Sequence, residues 1–250
     1  MLSIKNLFVV AQDKEIIKDL SLDIKNGEIH CLMGQNGTGK STLCKVLLNN
    51  PEYVVKSGSI KYNNKDLTKL DTTDIAREGI FLLNQSPIAI EGVTNAEMLR
   101  TALSEIQDRQ VNISEFNQKM ESICQKLEIP NSFIHREINV GMSGGERKKN
   151  ELLHMWMLEP KFIILDEVDS GLDVDATKIV ADSLLEYYKL YKPSILIITH
   201  HNKILELIKP DYVHVMQQGK IVKSGDISLA KEVEEKGFKA FNISGQEENE

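Results

Sequence analysis

Gly34-Gln35-Asn36-Gly37-Thr38-Gly39-Lys40-Ser41-Thr42 decides how this 250-residue chain is read. The stretch fits the pattern G-x-x-x-x-G-K-[ST], with Gly34, Gly39, Lys40 and Ser41 at the fixed places. Ahead of it runs Glu28-Ile29-His30-Cys31-Leu32-Met33, largely apolar and strand-like. Behind it, Thr42-Leu43-Cys44-Lys45-Val46-Leu47-Leu48 reads as a helix. Glycines let the backbone curl so that successive N–H groups point inward and cradle phosphate oxygens. The following helix N-terminus adds positive partial charge. Lys40 is placed to reach β- and γ-phosphates and the Ser41 hydroxyl to ligate Mg²⁺. A plain turn between a strand and a helix has no need of Lys-Ser after its last glycine, so the residues point to a nucleoside triphosphate.

Outward from that loop, composition narrows the class. Hydrophobic residues are 41% and charged residues 27%, an ordinary globular balance, and the length allows one large domain or a domain with a subdomain. The net charge of −7 argues against a chain that coats nucleic acid. No apolar run approaches the length of a membrane span, and Met1-Leu2-Ser3-Ile4-Lys5-Asn6-Leu7 alternates like a strand rather than a signal peptide. Cys31, Cys44 and Cys124 are odd in number, widely spaced and form no C-x-x-C. They read as buried thiols in a reducing compartment, and the expected location is cytoplasmic, or an organelle matrix or stroma after loss of a targeting peptide.

Along the chain, residues 1–34 read as strands at Ser3–Val10, Ile16–Ile24 and Glu28–Met33, the last two joined by a turn at Asn26-Gly27. A strand at Gly58–Tyr62, a short helix at Asp71–Glu78 and a buried strand at Ile80–Leu83 follow the first helix. From Thr94 to Glu159 the period turns helical. The capping box Thr94-Asn95-Ala96-Glu97 opens one helix, Phe116–Leu127 forms a second, and Ser143–Glu159 a third, ended by Pro160. Alternation then resumes, with a strand at Phe162–Leu165, a helix at Asp175–Lys189, a strand at Ser194–Thr199 and a helix at Lys203–Ile208. Tyr212–Met216 and Lys220–Lys223 make a hairpin across Gln217-Gln218-Gly219. Such alternation implies an α/β fold with a largely parallel sheet covered on both faces. The expected division is one domain over 1–250. Its core covers 1–90 and 160–240, a helical subdomain about 91–159, and an acidic tail 241–250 whose end, Gly245–Glu250, reads as disordered.

Further residues carry chemistry. Phe162-Ile163-Ile164-Leu165-Asp166-Glu167 is an apolar strand closed by two carboxylates, and ligands of open α/β sheets lie off carboxyl strand ends. Asp166 would hold Mg²⁺ directly or through water, and Glu167 would act as general base or orient the attacking water. Gln85 follows a buried strand, where an amide can touch Mg²⁺ and water; His200 ends the strand Ser194–Thr199 and can bond a γ-phosphate, with His201 as its competitor. Met142-Ser143-Gly144-Gly145-Glu146 contains a capping box, Ser143-x-x-Glu146. A plain cap does not need two glycines in its first turn, where they weaken the helix. They make sense if an anion must approach the N–H groups closely.

Taken in order, the phosphate loop, Gln85, the Ser-Gly-Gly-Glu segment, Asp166-Glu167, Ser170-Gly171-Leu172-Asp173 and His200 resemble the motifs of ABC-type ATPases. They are similar to Walker A, Q-loop, signature, Walker B, D-loop and H-switch. The resemblance implies an ABC-type nucleotide-binding domain with a P-loop core sheet, an N-terminal antiparallel β-subdomain and an inserted helical subdomain. It implies ATP and Mg²⁺ as cofactors, with Gly34 through Thr42 on the nucleotide and Ser41, Gln85 and Asp166 on the metal. Glu167, His200 and Gln85 take the catalytic roles. Ser143, Gly144, Gly145, Glu146 and Asp173 would meet nucleotide held by a second copy, so that two chains sandwich two ATP molecules. The chain departs from the usual pattern at Glu146, where most members have Gln, and at Val168-Asp169 in place of Pro-Thr. The aromatic expected in the first strand-turn is missing; Ala11 falls about there, with Phe8 too early.

Four longer stretches narrow the likeness: Asp166–Ala176, Asn139–Glu146, Lys209–Val215 and Gly219–Asp226 resemble the SufC family, the soluble ABC-type ATPases of Suf-type iron–sulfur cluster assembly. That resemblance implies partners of the SufB and SufD scaffold type, rearranged by ATP-driven dimerisation, with the cluster ligands on those partners and no direct membrane insertion. The alternative is the ATPase subunit of an ABC membrane transporter. Only the docked partner would differ; family likeness places its groove at about Gln85 to Arg100, where the apolar stretch Pro87–Val93 suits a partner-binding loop.

Overall fold

A computed structural model describes residues 1–241. The tail expected to be disordered, Gly245–Glu250, lies outside them. In chain order the elements are β1 (Leu2–Ala11), β2 (Lys14–Ile24), β3 (Ile29–Met33), α1 (Lys40–Leu47), β4 (Val54–Tyr62), β5 (Lys65–Asp66) and α2 (Thr72–Arg77). Next come β6 (Ile80–Leu83), β7 (Ile90–Thr94), α3 (Asn95–Gln107), α4 (Ile113–Lys126), β8 (Glu137–Ile138), α5 (Gly144–Leu158), β9 (Phe162–Asp166) and α6 (Val174–Tyr191). The last are β10 (Ser194–Thr199), α7 (Lys203–Ile208), β11 (Tyr212–Gln217), β12 (Lys220–Gly225) and α8 (Ile227–Lys236). The chain falls into two compact units, one of Met1–Ile75 with the residues from Ser194 onward, the other of Ala76–Pro193.

The first unit carries an antiparallel sheet of order β2-β1-β4-β5. Alternation of Leu20, Leu22 and Ile24 with polar residues buries one face of β2 and leaves the other wet, as expected of such a sheet. Ala11 pairs with Lys14, so Gln12 and Asp13 alone make the turn; both have positive φ, the requirement of a two-residue hairpin. β3 is flanked by β10 and β11, both parallel to it, and β12 returns antiparallel to β11. Every residue of β3 and β10 is buried, which is the mark of strands covered on both faces.

The second unit pairs β6 with β9 in parallel register, Ile80 with Phe162 through Leu83 with Leu165. α3, α4 and α5 bury their apolar faces here: Leu99 and Leu103, Phe116 and Met120, Leu152, Met155 and Trp156. The Trp156 indole stands edge-on to Tyr187 at 5.1 Å and donates to Ser183 Oγ at 2.9 Å, which meets the need of a buried N–H. Among the described residues no helix is long and apolar enough to cross a membrane.

Several expectations need correction. The turn at Asn26-Gly27 is present between β2 and β3, but the two strands it joins lie in different sheets. The stretch after Thr94 is less purely helical than its period suggests, because β8 pairs with β7, Ile90 opposite Ile138. Two residues of β8 give no alternation to read. α8 was not anticipated, although Asp226 caps it through Ser228 N–H.

Candidate functional site

β3 ends at Met33, paired with Thr199 of β10 and Val215 of β11, and the loop Gly34–Gly39 starts at that carboxyl end. A side chain at Gly34 would place its Cβ 2.5 Å from Met216 O and 2.8 Å from Thr38 Oγ1, so the close approach of β11 requires glycine. Gly39, at the N-cap of α1, has φ 104°, a left-handed conformation suited to glycine, and supplies no side-chain cap to the helix that starts at Lys40. Lys40 is 4% exposed; its ammonium donates to Gly34 O at 2.7 Å and Gln35 O at 2.9 Å, spanning the loop's mouth. The β11–β12 turn fixes the far side: Gly219 N–H donates to Thr38 O at 3.1 Å, while Gly219 O accepts from Lys18 N–H at 2.9 Å. His200 follows Thr199 as Gly34 follows Met33, so register sets residue 200 alongside the start of the loop. His200 is half-buried, whereas His201 is exposed and donates its N–H to Thr199 Oγ1 at 3.0 Å. The two rings lie 3.8 Å apart.

In the second unit the buried run Phe162–Leu165 delivers Asp166, half-buried, and Glu167, 7% exposed. Glu167 has φ 46°, a conformation that costs a non-glycine residue about 1–2 kcal/mol and persists only where its surroundings impose it. Gln85 Nε2 donates to Glu167 Oε2 at 3.2 Å and to Ser170 Oγ at 3.4 Å. Three residues expected from sequence therefore meet: Gln85, Glu167 and, from the D-loop, Ser170. Asn84, just before Gln85, is held at both backbone atoms. Its N–H donates to Glu151 Oε1 at 2.9 Å, and its carbonyl accepts from Lys148 Nζ, which is itself 3.0 Å from Glu151 Oε2. Burial raises the Glu151 pKa and Lys148 opposes that. Sequence reading did not single out this pair; its only signal is an i,i+3 spacing of opposite charges on an otherwise buried helix face.

Ser143 caps α5 in a complete capping box: Glu146 N–H donates to Ser143 Oγ at 3.3 Å, and Ser143 N–H to Glu146 Oε2 at 2.8 Å. That backbone hydrogen bond, followed by the Ser143 hydroxyl and Arg136, holds the Glu146 carboxyl below its usual pKa. Glutamate in place of glutamine thus keeps the box and gains a partner, Arg136 Nη1 at 3.2 Å. A Cβ at Gly144 or Gly145 would meet nothing within 4 Å, and neither has left-handed φ, so internal packing does not demand glycine at either position. Gly145, Glu146 and Asp173 line one cavity of about 420 Å³, and Asp173 caps α6 through Ala176 N–H at 2.7 Å.

Each unit carries donors of its own. In the first, the buried Lys40 ammonium, the Ser41 hydroxyl and, at Gly37, a left-handed glycine whose Cβ position is open space suit the oxygens of a phosphate. In the second, the Asp166 and Glu167 carboxylates beside the Gln85 amide suit a hard divalent cation.

Comparison with known proteins identifies the family and the fold. A family model described as "ABC transporter" matches residues 17–170. The chain is 47% identical over 242 residues to the "Probable ATP-dependent transporter SufC" of Escherichia coli strain K12, covering 95% of this chain and 97% of that one. It is 43% identical over 247 residues to the "Iron-sulfur cluster assembly protein SufC" of Plasmodium falciparum, covering 96% of this chain and 71% of that one. Among solved structures, a nucleotide-free ATP-binding cassette from an ABC transporter superposes with TM-score 0.78 at 22% identity, over 99% of both chains. A dimeric cassette in a post-hydrolysis state bound to ADP and Pi gives TM-score 0.78 at 18% identity, over 91% of this chain and 99% of that one. These last two likenesses establish the fold, an α/β ATP-binding cassette.

Proposed function

The chain belongs to the ABC transporter family of ATPases, within its SufC group, and from that premise we propose that it is the ATP-hydrolysing motor of Suf-type iron–sulfur cluster assembly. ATP binding and hydrolysis come with the family. The finer reading is a single domain over residues 1–250 that pairs with a second copy around two MgATP molecules and moves scaffold proteins of the SufB and SufD type. The observation that carries it is the likeness to SufC chains over at least 95% of this chain, one of them bearing the name of an iron–sulfur cluster assembly protein.

In this reading Gly34 through Thr42 wrap the phosphates and Lys40 neutralises the β- and γ-groups. Ser41, Asp166 and Gln85 hold Mg²⁺, which when bound spreads the charge developing on the transferred phosphoryl group. Glu167 accepts the proton of the attacking water or orients it, and its hydrogen bond with Gln85 ties that carboxylate to the loop that reads the metal. His200 donates to the γ-phosphate. Ser143, Gly144, Gly145, Glu146 and Asp173 of one copy complete the other copy's site, so the interface is two-fold. The open space over Gly144 and Gly145 supports that part.

A second reading, the ATPase subunit of a membrane transporter, draws on the printed description of the family and on the transporter name of the Escherichia coli relative. Affinity isolation from native lysate, with identification of the companions, separates the two. Stoichiometric SufB- and SufD-type scaffold proteins are the expected outcome; a polytopic membrane protein in their place would replace the first reading with the second.

A further inference from the structure

Beside the phosphate loop, within the first unit, lies a cavity of about 410 Å³, inside the range of about 300–1,000 Å³ typical of small-molecule pockets. Thr42, two residues past Lys40, forms one wall, and Ile16 of β2 another. The β1–β2 turn contributes Ala11 and Gln12. That turn has only two residues, so the side chain it sets over the cavity from the end of β1 is the small Ala11. Tyr53, one residue before β4, lines the same cavity and is the aromatic among the described residues that do so. Its ring is half-buried and tethered: Lys45 Nζ of α1 is 3.4 Å from the hydroxyl and 5.6 Å from the ring centroid, and Tyr53 N–H donates to Asn50 O at 3.1 Å. Phosphate loop and ring are thus carried by the two ends of one short helix and the turn that follows it.

We propose that Tyr53 is the base-stacking residue of this ATPase: the cavity receives the purine of the nucleotide whose phosphates lie on Gly34–Thr42, and the Tyr53 ring provides the aromatic face that the first strand-turn lacks. The inference rests on the ATP-binding reading of that loop. The apolar side chains of Ile16 and Ala11 stand in this cavity beside the polar Gln12, Lys14 and Glu52, a mixed lining that suits a heterocycle with a polar edge, and an aromatic face stacks any base without reading that edge. Tyr53 acts by position and surface; no proton or bond changes there.

The test measures dissociation constants of MgATP, MgGTP and inorganic tripolyphosphate by calorimetry, for the full chain and for Tyr53→Ala and Tyr53→Phe, with thermal melts of each. Tyr53→Ala is expected to weaken MgATP and MgGTP alike, by about 5- to 100-fold, the range for loss of one base–aromatic stack. Tripolyphosphate should bind unchanged, and Tyr53→Phe should keep wild-type affinity for all three. Unchanged MgATP affinity in Tyr53→Ala would overturn the proposal and leave the phosphate-loop reading standing. So would equal weakening of tripolyphosphate, which would make Tyr53 a support of the loop. Failure of the unaltered chain to bind MgATP would instead bring down the reading on which the proposal rests.

Discussion

Replacing Gly145 with alanine moves stability and catalysis in opposite directions. Gly145 is the second residue of α5, has no left-handed φ, and a Cβ there would meet nothing within 4 Å. Alanine therefore fits without strain and removes the excess backbone freedom of glycine, a gain of at most about 0.5–1 kcal/mol in a helix. For a chain of this length that raises the melting temperature by about 1–4 °C. If phosphate oxygens of a second copy's nucleotide must reach the α5 N–H groups, the new methyl group stands in their way. Losing one such donor contact lowers turnover about 10²–10³-fold. Differential scanning fluorimetry without nucleotide, beside steady-state phosphate release at saturating MgATP, reads both. A stabilised protein with wild-type turnover would refute the reasoning, because it would leave the two glycines without a purpose. A lower melting temperature would show that the first turn of α5 is not as described.

Glu167→Gln is expected to bind MgATP with unaltered affinity and to lose about 10²–10³ in single-turnover hydrolysis, as for removal of a positioned base; retained turnover would move that role elsewhere. Gly34→Ala drives a Cβ against Met216 O at 2.5 Å, and a backbone atom of a central strand cannot yield cheaply. A loss of about 1–3 kcal/mol in urea unfolding is expected, with nucleotide binding impaired as well; an unchanged midpoint would contradict the close approach. Burial lowers the pKa of His154 from 6.5 to about 4, and burial followed by His30 does the same to His214. The fold holds both rings neutral while the unfolded chain takes up protons below about pH 6.5. Stability is thus full above that pH and falls as pH drops toward 4, by up to about 3 kcal/mol for each ring. His154→Gln, which keeps a donor toward Asn95 Oδ1, should remove its share of the loss between urea midpoints at pH 7 and pH 4.5; an identical pH dependence would assign the acid sensitivity to other groups.

Much of the fold was legible because local chemistry and tertiary structure agree. Ile80–Leu83 is an unbroken apolar run, and Ser194–Thr199 is one framed by a serine and a threonine; both strands have those limits. The capping boxes at Thr94 and Ser143 are written in four residues each, and both arms of each are present. What escaped depends on pairing between distant residues. β7 and β8 are joined by few residues across a long connection, and neither alternates clearly. The turn at Asn26-Gly27 has hairpin chemistry, yet β2 prefers β1, where its apolar face is matched, and β3 is buried between β10 and β11. The Lys148–Glu151 grip on Asn84 and the arrival of Tyr53 beside Thr42 are likewise invisible to spacing, since each joins segments that only folding brings together.

The central claim is that the catalytic centre is complete only when two copies meet. Turnover per chain, followed in MgATP from nanomolar to tens of micromolar protein alongside sedimentation of Glu167→Gln, tests it directly. The account requires specific activity to climb with concentration, the variant to sediment as a dimer with MgATP and as a monomer without it, and Ser143→Arg to abolish both while still binding nucleotide. Specific activity that stays level across that range, with a single monomeric species throughout, would contradict it.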